Sequence, residues 1–584
     1  MTIRACLKFN VCLVLVSVFS VWSLLANAQS ADPSYRLPPL DIADIVDAEP
    51  TPAVSVGPQK EWMVLMSRDG LPSIAELSEQ ELRIAGMRIN PANNAASRRA
   101  YYNGLTFQNL SDGRERRISD LPAKPRIDSV NWSPDGLHLA FVLDQGTHIE
   151  LWTADVDSGR ARKLLDTPVN AIFGQPYSWL SDSETLLVKS IPEDRGSAPV
   201  RPLVPKGPII QESSGRPAAA RTYQDLMVNS HDEDLFEHYG AVQLLLVSLD
   251  GSKSTLSEPG LVRRASSSPD GEYFLLEVIH RPFSYLVPNS RFPRRFQVLN
   301  AQGELSWQLA DLPLAEEVPI GRGAVPTGPR SVNWRSDSGA TLYWVEARDG
   351  GDPRADADIR DVVLSIDAPF AGEPEEIISL QLRYAGVTWG NGDLALVSEN
   401  WWSSRRLRTW MVAPDATAKG KTLLFDRTTE DRYNDPGSPV LVANTYGRYN
   451  LLVDADNSAI YLRGQGASAE GDRPFLDRLE LASKSSERLW QSVAPTYATF
   501  ISFLDEDHQS VLIRSESPDT PGNYFRLTLS DPDSAQALTR FPHPYPQLAS
   551  VYKEVIRYQR DDGVMLTATL YLPPGMSPED GPFP

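Results

Sequence analysis

The clearest pattern along the chain is a tight polar turn followed by an apolar run. Asn131-Trp132-Ser133-Pro134-Asp135-Gly136 leads into Leu137-His138-Leu139-Ala140-Phe141-Val142, and Ser267-Ser268-Pro269-Asp270-Gly271 leads into Tyr273-Phe274-Leu275-Leu276. Looser copies are Trp179-Leu180-Ser181-Asp182-Ser183 before Thr185-Leu186-Leu187-Val188, and Trp334-Arg335-Ser336-Asp337-Ser338 before Thr341-Leu342-Tyr343-Trp344-Val345. Proline and aspartate preset such a turn and glycine supplies a positive φ, so each copy reverses the chain between two strands. After the first copy, residues 149–154 predict another strand, Asp157-Ser158-Gly159 a turn, and 161–165 the strand after it. Strand, turn, strand, polar turn, strand is the cadence of a four-stranded β-propeller blade, which needs about 40–50 residues. The copies lie farther apart than that, so long insertions are expected; a β-sandwich with recurring turns is the competing arrangement. The pattern predicts an all-β chain with a β-propeller over residues 59–545; it does not fix the number of blades, for which seven is the expectation.

The largest insertion spans residues 191–239. It opens with Pro202, Pro205 and Pro208 and ends in an acidic stretch, Arg221-Thr222-Tyr223-Gln224-Asp225 through His231-Asp232-Glu233-Asp234-Leu235-Phe236. There Leu226, Leu235, Phe236 and Tyr239 suit one short amphipathic helix. A loop this long in a compact domain is often functional. Residues 29–58, polar and carrying Pro38, Pro39, Pro50 and Pro52, read as an N-terminal arm. At the other end, 551–560 and 564–572 predict two strands joined by Asp561-Asp562-Gly563, a strong hairpin signal. Val564, Leu566, Ala568, Leu570 and Leu572 alternate with Met565, Thr567, Thr569 and Tyr571 in the second, and Pro573-Pro574-Gly575 closes it.

Length and composition narrow the class. A chain of 584 residues exceeds one ordinary core, and 47 prolines with 37 glycines favour many turns and short elements. Residues 1–28 stand apart: Arg4 and Lys8 precede an apolar run from Val11 to Leu25, and Ala26-Asn27-Ala28 is a small-x-small cleavage signal. The run is shorter than the roughly 20 residues needed to span a bilayer, so a secretory signal cleaved after Ala28 is expected rather than an anchor. The periplasm or the exterior is the expected location. Both cysteines, Cys6 and Cys12, fall inside this leader, which excludes disulfides and thiolate chemistry from the mature chain. Losing Arg4 and Lys8 and no acid moves the formal charge from −20 to −22. Such a surface repels phosphate backbones and anionic lipids, so no nucleic-acid partner and, after cleavage, no membrane are expected.

The residues that carry chemistry are sparse. An α/β-hydrolase nucleophile needs G-x-S-x-G on a strand-to-helix elbow. Gly466-Ala467-Ser468 and Gly575-Met576-Ser577 are followed by Glu470 and Glu579 at the fifth position, so both read as loops. His231 and His238 lie near Asp232, Glu233 and Asp234, but a spacing of seven fits no zinc pattern, and a solvated acidic segment is the plainer reading. His280 and His543 neighbour prolines and read as structural; the remaining histidines are His138, His148 and His508. Asp454, Asp456 and Asn457 lack the glycine and closing glutamate of a calcium loop. Gly464-Gln465-Gly466 is an incomplete dinucleotide fingerprint and there is no P-loop. Trp401, Trp402 and Trp410 beside Arg405, Arg406 and Arg408 could stack on a ligand, or form core with edge charges. No catalytic, cofactor-binding or metal-ligating residue is assigned, and no cofactor is expected.

Longer strings resemble a known family. They are Tyr35-Arg36-Leu37-Pro38-Pro39, Leu82-Arg83-Ile84-Ala85-Gly86 with Arg88-Ile89, Arg221 to Tyr239, and His280-Arg281-Pro282 through Arg291-Phe292-Pro293. Further on come Asn333-Trp334-Arg335 with Tyr343-Trp344-Val345-Glu346, Asp349-Gly350-Gly351-Asp352, Asp435-Pro436-Gly437-Ser438-Pro439, Gly464 to Phe475, and Phe541-Pro542-His543-Pro544-Tyr545-Pro546. In these the chain resembles the prolyl oligopeptidase family of serine peptidases, in its glutamyl endopeptidase branch. The resemblance implies a propeller that caps an α/β-hydrolase domain and screens access to a Ser-Asp-His triad, with residues 546–584 as the opening of that domain. All three catalytic positions would then lie beyond Pro584, and this chain alone would be inactive. It implies peptide substrates, met through the catalytic domain, with cleavage after acidic residues; cationic side chains would be needed there, and Arg263, Arg264, Arg294 and Arg295 qualify by type. The alternative is a freestanding periplasmic propeller, similar to the Tol-system propellers, that binds a protein or peptide.

Overall fold

The computed structural model describes residues 37–204, 207, 223–318 and 321–582. The stretch at 1–28 read as a leader, with Cys6 and Cys12, and the insertion around Pro205 and Pro208 lie outside the described residues. The described residues up to Ala48 belong to a unit of their own and carry the helix Leu40–Asp47, within the stretch read as an arm. The other unit runs from Glu49 onward. Its regular structure is almost entirely β-strand, with few and short helices, so the all-β expectation holds.

Eight four-stranded antiparallel sheets follow one another, over residues 53–117, 127–163, 177–255, 261–312, 330–380, 383–428, 438–491 and 497–537. In each, strands adjacent in sequence are adjacent in space, and no sheet closes on itself. The sheets number eight where seven were expected; six of the eight first-to-second turns carry no Pro-Asp-Gly signal, so the sequence does not count them. The four legible copies join the first two strands of the second to fifth sheets. In the seventh sheet Asp454 Oδ1 accepts from the Ala459 amide at 2.9 Å, with Asn457 at φ 57°. In the eighth, Asp505 Oδ1 accepts from the Gln509 amide at 2.9 Å, with His508 at φ 56°. Asparagine and histidine there do what glycine does at Gly136 and Gly271, at a modest steric cost. The calcium-like Asp454-Asp456-Asn457 string is thus a strand turn. The first strand, Ala53–Val56, pairs with Trp62–Ser67, so the sheets begin inside the stretch read as arm.

Neighbouring sheets pack face to face. Phe107 of the first packs with Phe141 of the second, Val142 of the second with Trp179 of the third, and Leu187 of the third with Phe274 of the fourth. Val298 then meets Trp344, Val345 meets Trp389, Leu396 meets Ile460, and Leu476 meets Phe500. Leu512 and Leu538, at the eighth sheet, pack on Met63 and Leu65 of the first, and Arg526 donates to the Leu110 carbonyl at 2.9 Å. The succession of cores is therefore cyclic.

The fourth strands are the most exposed, for example Lys253–Thr255 and Asp531–Ala537. The first strands face inward, as one insertion demonstrates. Between Val440 and Leu452, joined by a 2.9 Å backbone hydrogen bond, a hairpin of Leu441–Ala443 and Tyr449–Leu451 leaves the first strand of the seventh sheet. Its Gly447 lies against Pro134 of the second sheet. Arg448 donates to the Ser267 carbonyl and hydroxyl at 3.1 and 2.9 Å, in the fourth sheet. Asn444 and Asn450 reach Ser336, in the fifth, at 2.6 Å, and Asn450 donates to the Gly390 carbonyl of the sixth at 3.1 Å. Every contact falls on a first strand or the turn after it.

At the opposite end the links from second to third strands are enlarged in the first, third and fourth sheets. They build a satellite core of Ile84, Ile89, Met227, Phe236, Val287 and Phe292. The expected helix stands here as Ser230–Gly240, capped by the Asn229 side chain, which accepts from the Asp232 amide at 3.1 Å. The C-terminal hairpin is also present: Tyr552–Gln559 pairs with Met565–Leu572, and both of its faces are largely exposed.

Candidate functional site

The serines of the two G-x-S strings are committed to local turns. Ser468 Oγ donates to the Gly471 carbonyl at 2.7 Å in a two-residue ribbon. Ser577 caps the short helix Pro578–Asp580 through a reciprocal contact with Asp580. The acidic stretch around His231 and His238 is the capped helix, with Glu233 and Glu237 turned to Arg281. Its His238 is held below the usual imidazole range by burial and by Arg195. His280 Nε2 contacts Asp311 at 2.7 Å, and His543 Nδ1 accepts from the Tyr545 amide at 2.9 Å. The tryptophans are taken up by the chain's own cations: Trp402 lies between Arg322 and Arg405, at 3.3 and 3.6 Å, and Arg360 covers Trp401 at 4.2 Å. Arg406 and Arg408 both turn to Asp426, and Trp410 donates to Glu399 at 3.0 Å.

Charge gathers where the first strands begin, at the end that carries the enlarged links. Between the fifth and sixth sheets the buried carboxylates of Asp349 and Asp361 take Arg330, Arg360 and Arg383, with Arg383 bridging both at 2.7 and 3.0 Å. A cavity of about 1360 Å³ runs along the first sheet. Its Arg98 and Arg126 are paired with Glu81 and Glu79 at 3.2 and 2.8 Å, and its Arg99 with Asp128.

A second cavity, of about 760 Å³, opens between the third and fourth sheets. Lys189, Arg263 and Arg264 line it, with Tyr177, Phe173 and Pro288 among its less polar walls. A bulge makes the arginines neighbours in space as well as in sequence. Val262 pairs with Val278 and Arg264 with Glu277, which leaves Arg263 as the extra residue, so the alternation breaks and both side chains reach the cavity. Arg263 and Arg294 each hold Glu277 at 2.9 Å. Arg264 donates to the Val332 carbonyl at 3.2 Å. Lys189, 8% exposed, donates to the Arg263 carbonyl at 3.0 Å and lies 3.5 Å from that of Phe173. Burial pushes its ammonium down to about 8; Arg263 and Arg264 add to this and Glu277 opposes it.

The roof of this cavity is laced from three links. The Gly86 amide donates to the Asp225 carbonyl at 2.8 Å, and Arg88 Nε donates to the Asp225 carboxylate at 2.7 Å. Asn289 donates to the Ala85 carbonyl at 2.8 Å. Gly86, at φ 77°, passes so close to Pro288 that an added Cβ would sit 2.5 Å from the proline's. Of the four arginines named by type, two line the cavity and Arg294 braces them. Arg295, one residue along, faces the other way to Asp311 at 3.0 Å. Lys189 was missed. Its signal was a lysine in the apolar run Leu186-Leu187-Val188-Lys189, at a position that a strand buried on both faces covers.

No protein-family model matches the chain. It is 42% identical over 583 residues to a rice (Oryza sativa subsp. japonica) protein named probable glutamyl endopeptidase, chloroplastic, covering 95% of this chain and 62% of that one. An Arabidopsis thaliana protein of the same name is 41% identical over 578 residues, covering 94% and 60%. The chain thus spans about three fifths of the length of these relatives. Among solved structures, a Pyrococcus horikoshii acylaminoacyl peptidase aligns at TM-score 0.39 and 11% identity, over 90% of this chain and 57% of that one. A Vibrio parahaemolyticus oligogalacturonate lyase aligns at 0.36 and 12%, over 70% and 93%. Scores this low do not fix a shared fold. Among the described residues no helix is long and apolar enough to cross a membrane.

Proposed function

We propose that this chain is the β-propeller part of an exported serine peptidase of the prolyl oligopeptidase family, in its glutamyl endopeptidase branch, with eight blades. The observation that carries this reading is 42% identity across 95% of the chain with a protein of that name. The cyclic order of cores supports the propeller, as do first strands that share one interior hairpin. In this reading the propeller screens peptides on their way to a Ser-Asp-His triad carried by a separate hydrolase domain. That triad hydrolyses peptide bonds after glutamate, by acylation and deacylation of the serine. Ser468 and Ser577, fixed in turns without a histidine partner among the described contacts, supply no nucleophile. The hairpin over 552–572 suits the opening strands of a hydrolase sheet: Val555, Tyr558 and Tyr571 stand bare at 58%, 49% and 62% exposure, apolar faces that ask for a cover. Cleavage of the leader after Ala28 delivers the protein to the periplasm.

A fluorophosphonate probe tests both halves of the reading. Purified residues 29–584 should take no label and cleave no peptide. Antibody raised against them should capture from native cells a labelled protein larger than 64.6 kDa that cleaves after glutamate. A labelled serine in the purified chain, or a native product that is neither larger nor labelled, would overturn it.

A further inference from the structure

We propose that the cavity between the third and fourth sheets is a recognition site for a carboxylate side chain of a peptide, held by Lys189, Arg263 and Arg264. This rests on the peptidase reading for its biological use, and on geometry alone for its chemistry.

The argument begins with unused donors. A lysine ammonium has three N–H groups and a guanidinium five. The described residues offer Lys189 two backbone carbonyls and Arg264 one, and the carboxylate beside them, Glu277, is already shared by Arg263 and Arg294. Donors left over on a buried cation, as Lys189 is, are costly unless something accepts from them, whereas Arg264 is exposed and keeps its spare donors open to a ligand. The charge is equally unbalanced. In a chain of formal charge −20, three cations line this cavity against one carboxylate held by two arginines. Elsewhere acids meet the cations more nearly: Asp349 and Asp361 answer Arg330, Arg360 and Arg383, and Glu81, Asp128 and Glu79 answer Arg98, Arg99 and Arg126 of the larger cavity.

The shape selects the ligand. Phe173, Pro176 and Leu187 give the cavity walls on which methylene groups can lie, and an arginine fork beside an ammonium suits a planar carboxylate at the end of such a stem. The site is built rather than accidental. The bulge at Arg263 lets two consecutive side chains line the same cavity, and the Gly86–Pro288 contact closes the roof. It lies at the end where the chain enters the first sheet, near the first strands of the third and fourth sheets.

Binding should also be linked to protons. Arg263, Arg264 and Glu277 face Lys189 from the fourth sheet; Tyr177, on the adjacent strand, is kept neutral by burial and turns its hydroxyl to the Ala140 carbonyl of the second sheet at 2.6 Å. A bound carboxylate restores the proton that burial loosens, so affinity should fall as pH rises through about 8.

The test is calorimetric titration of purified residues 29–584 with a blocked peptide containing one glutamate and with its glutamine isostere. The glutamate peptide should bind at least about tenfold more tightly. Arg264→Ala should erase the difference, Arg264→Lys should restore part of it, and Arg295→Ala, which removes a cation facing Asp311, should leave it intact. Equal binding of the two peptides, or a preference that survives both Arg264→Ala and Lys189→Met with circular dichroism unchanged, overturns the site. The same variants in the native protein separate this inference from the one beneath it. Cleavage with an unaltered glutamate preference sinks the site and spares the peptidase reading. Selective binding without cleavage does the reverse.

Discussion

Lys189 occupies a strand position at which a leucine would pack, and its ammonium bears the cost of burial. The unfolded chain keeps that proton up to the ordinary value of 10.5, whereas the folded chain releases it near 8. Between those values the unfolded state binds more protons, so stability rises with pH. The urea midpoint of residues 29–584 is expected to climb between about pH 8 and 10, and Lys189→Met to flatten the climb. Lys60 and Lys421, also lowered by burial, keep a residual slope. The same slope in the variant would mean that the ammonium is solvated. This residue shows how far side-chain type can be read. That arginines stand near residue 263 was legible from type; that Lys189 shares a cavity with two of them, and that Arg294 and Arg295 part company, depended on a bulge and on strand alternation.

The inserted hairpin is the element on which the interior turns. Gly447 combines a φ of 69° with a would-be Cβ only 2.4 Å from that of Pro134. Gly447→Ala should therefore cost about 1–3 kcal/mol in urea unfolding. Adding Pro134→Gly should recover part of the loss, because the clash is with that ring; additive losses would show that the two do not touch. Elements with local signals were legible. The helix Ser230–Gly240 announced itself by apolar spacing, and the terminal hairpin by Asp561-Asp562-Gly563 between alternating runs. The hairpin at 441–451 gave no such signal, because its partners come from four other sheets and its own strands are three residues each. Turns built on Asn457 and His508 were hidden for a related reason: side-chain oxygens of Asp454 and Asp505 organise them in place of a Pro-Asp-Gly sequence.

At the scale of the whole molecule, the eighth sheet must hold the first. Leu512, fully buried, packs with Met63 and Leu65 across that junction. Leu512→Ala should destabilise by about 2–5 kcal/mol and speed proteolysis at both sheets, 53–117 and 497–537; cleavage confined to the eighth would show that the junction is not shared. The sequence by itself determined the β class, the four-stranded cadence, the long insertion with its helix and the final hairpin, since period-two alternation and turn chemistry act between residues near in sequence. Only the tertiary structure decided that the sheets number eight, that the last packs on the first, and that Lys189, Arg263 and Arg264 share one cavity. Those outcomes depend on side chains more than seventy positions apart meeting across sheet faces, and packing between faces leaves no period in the chain.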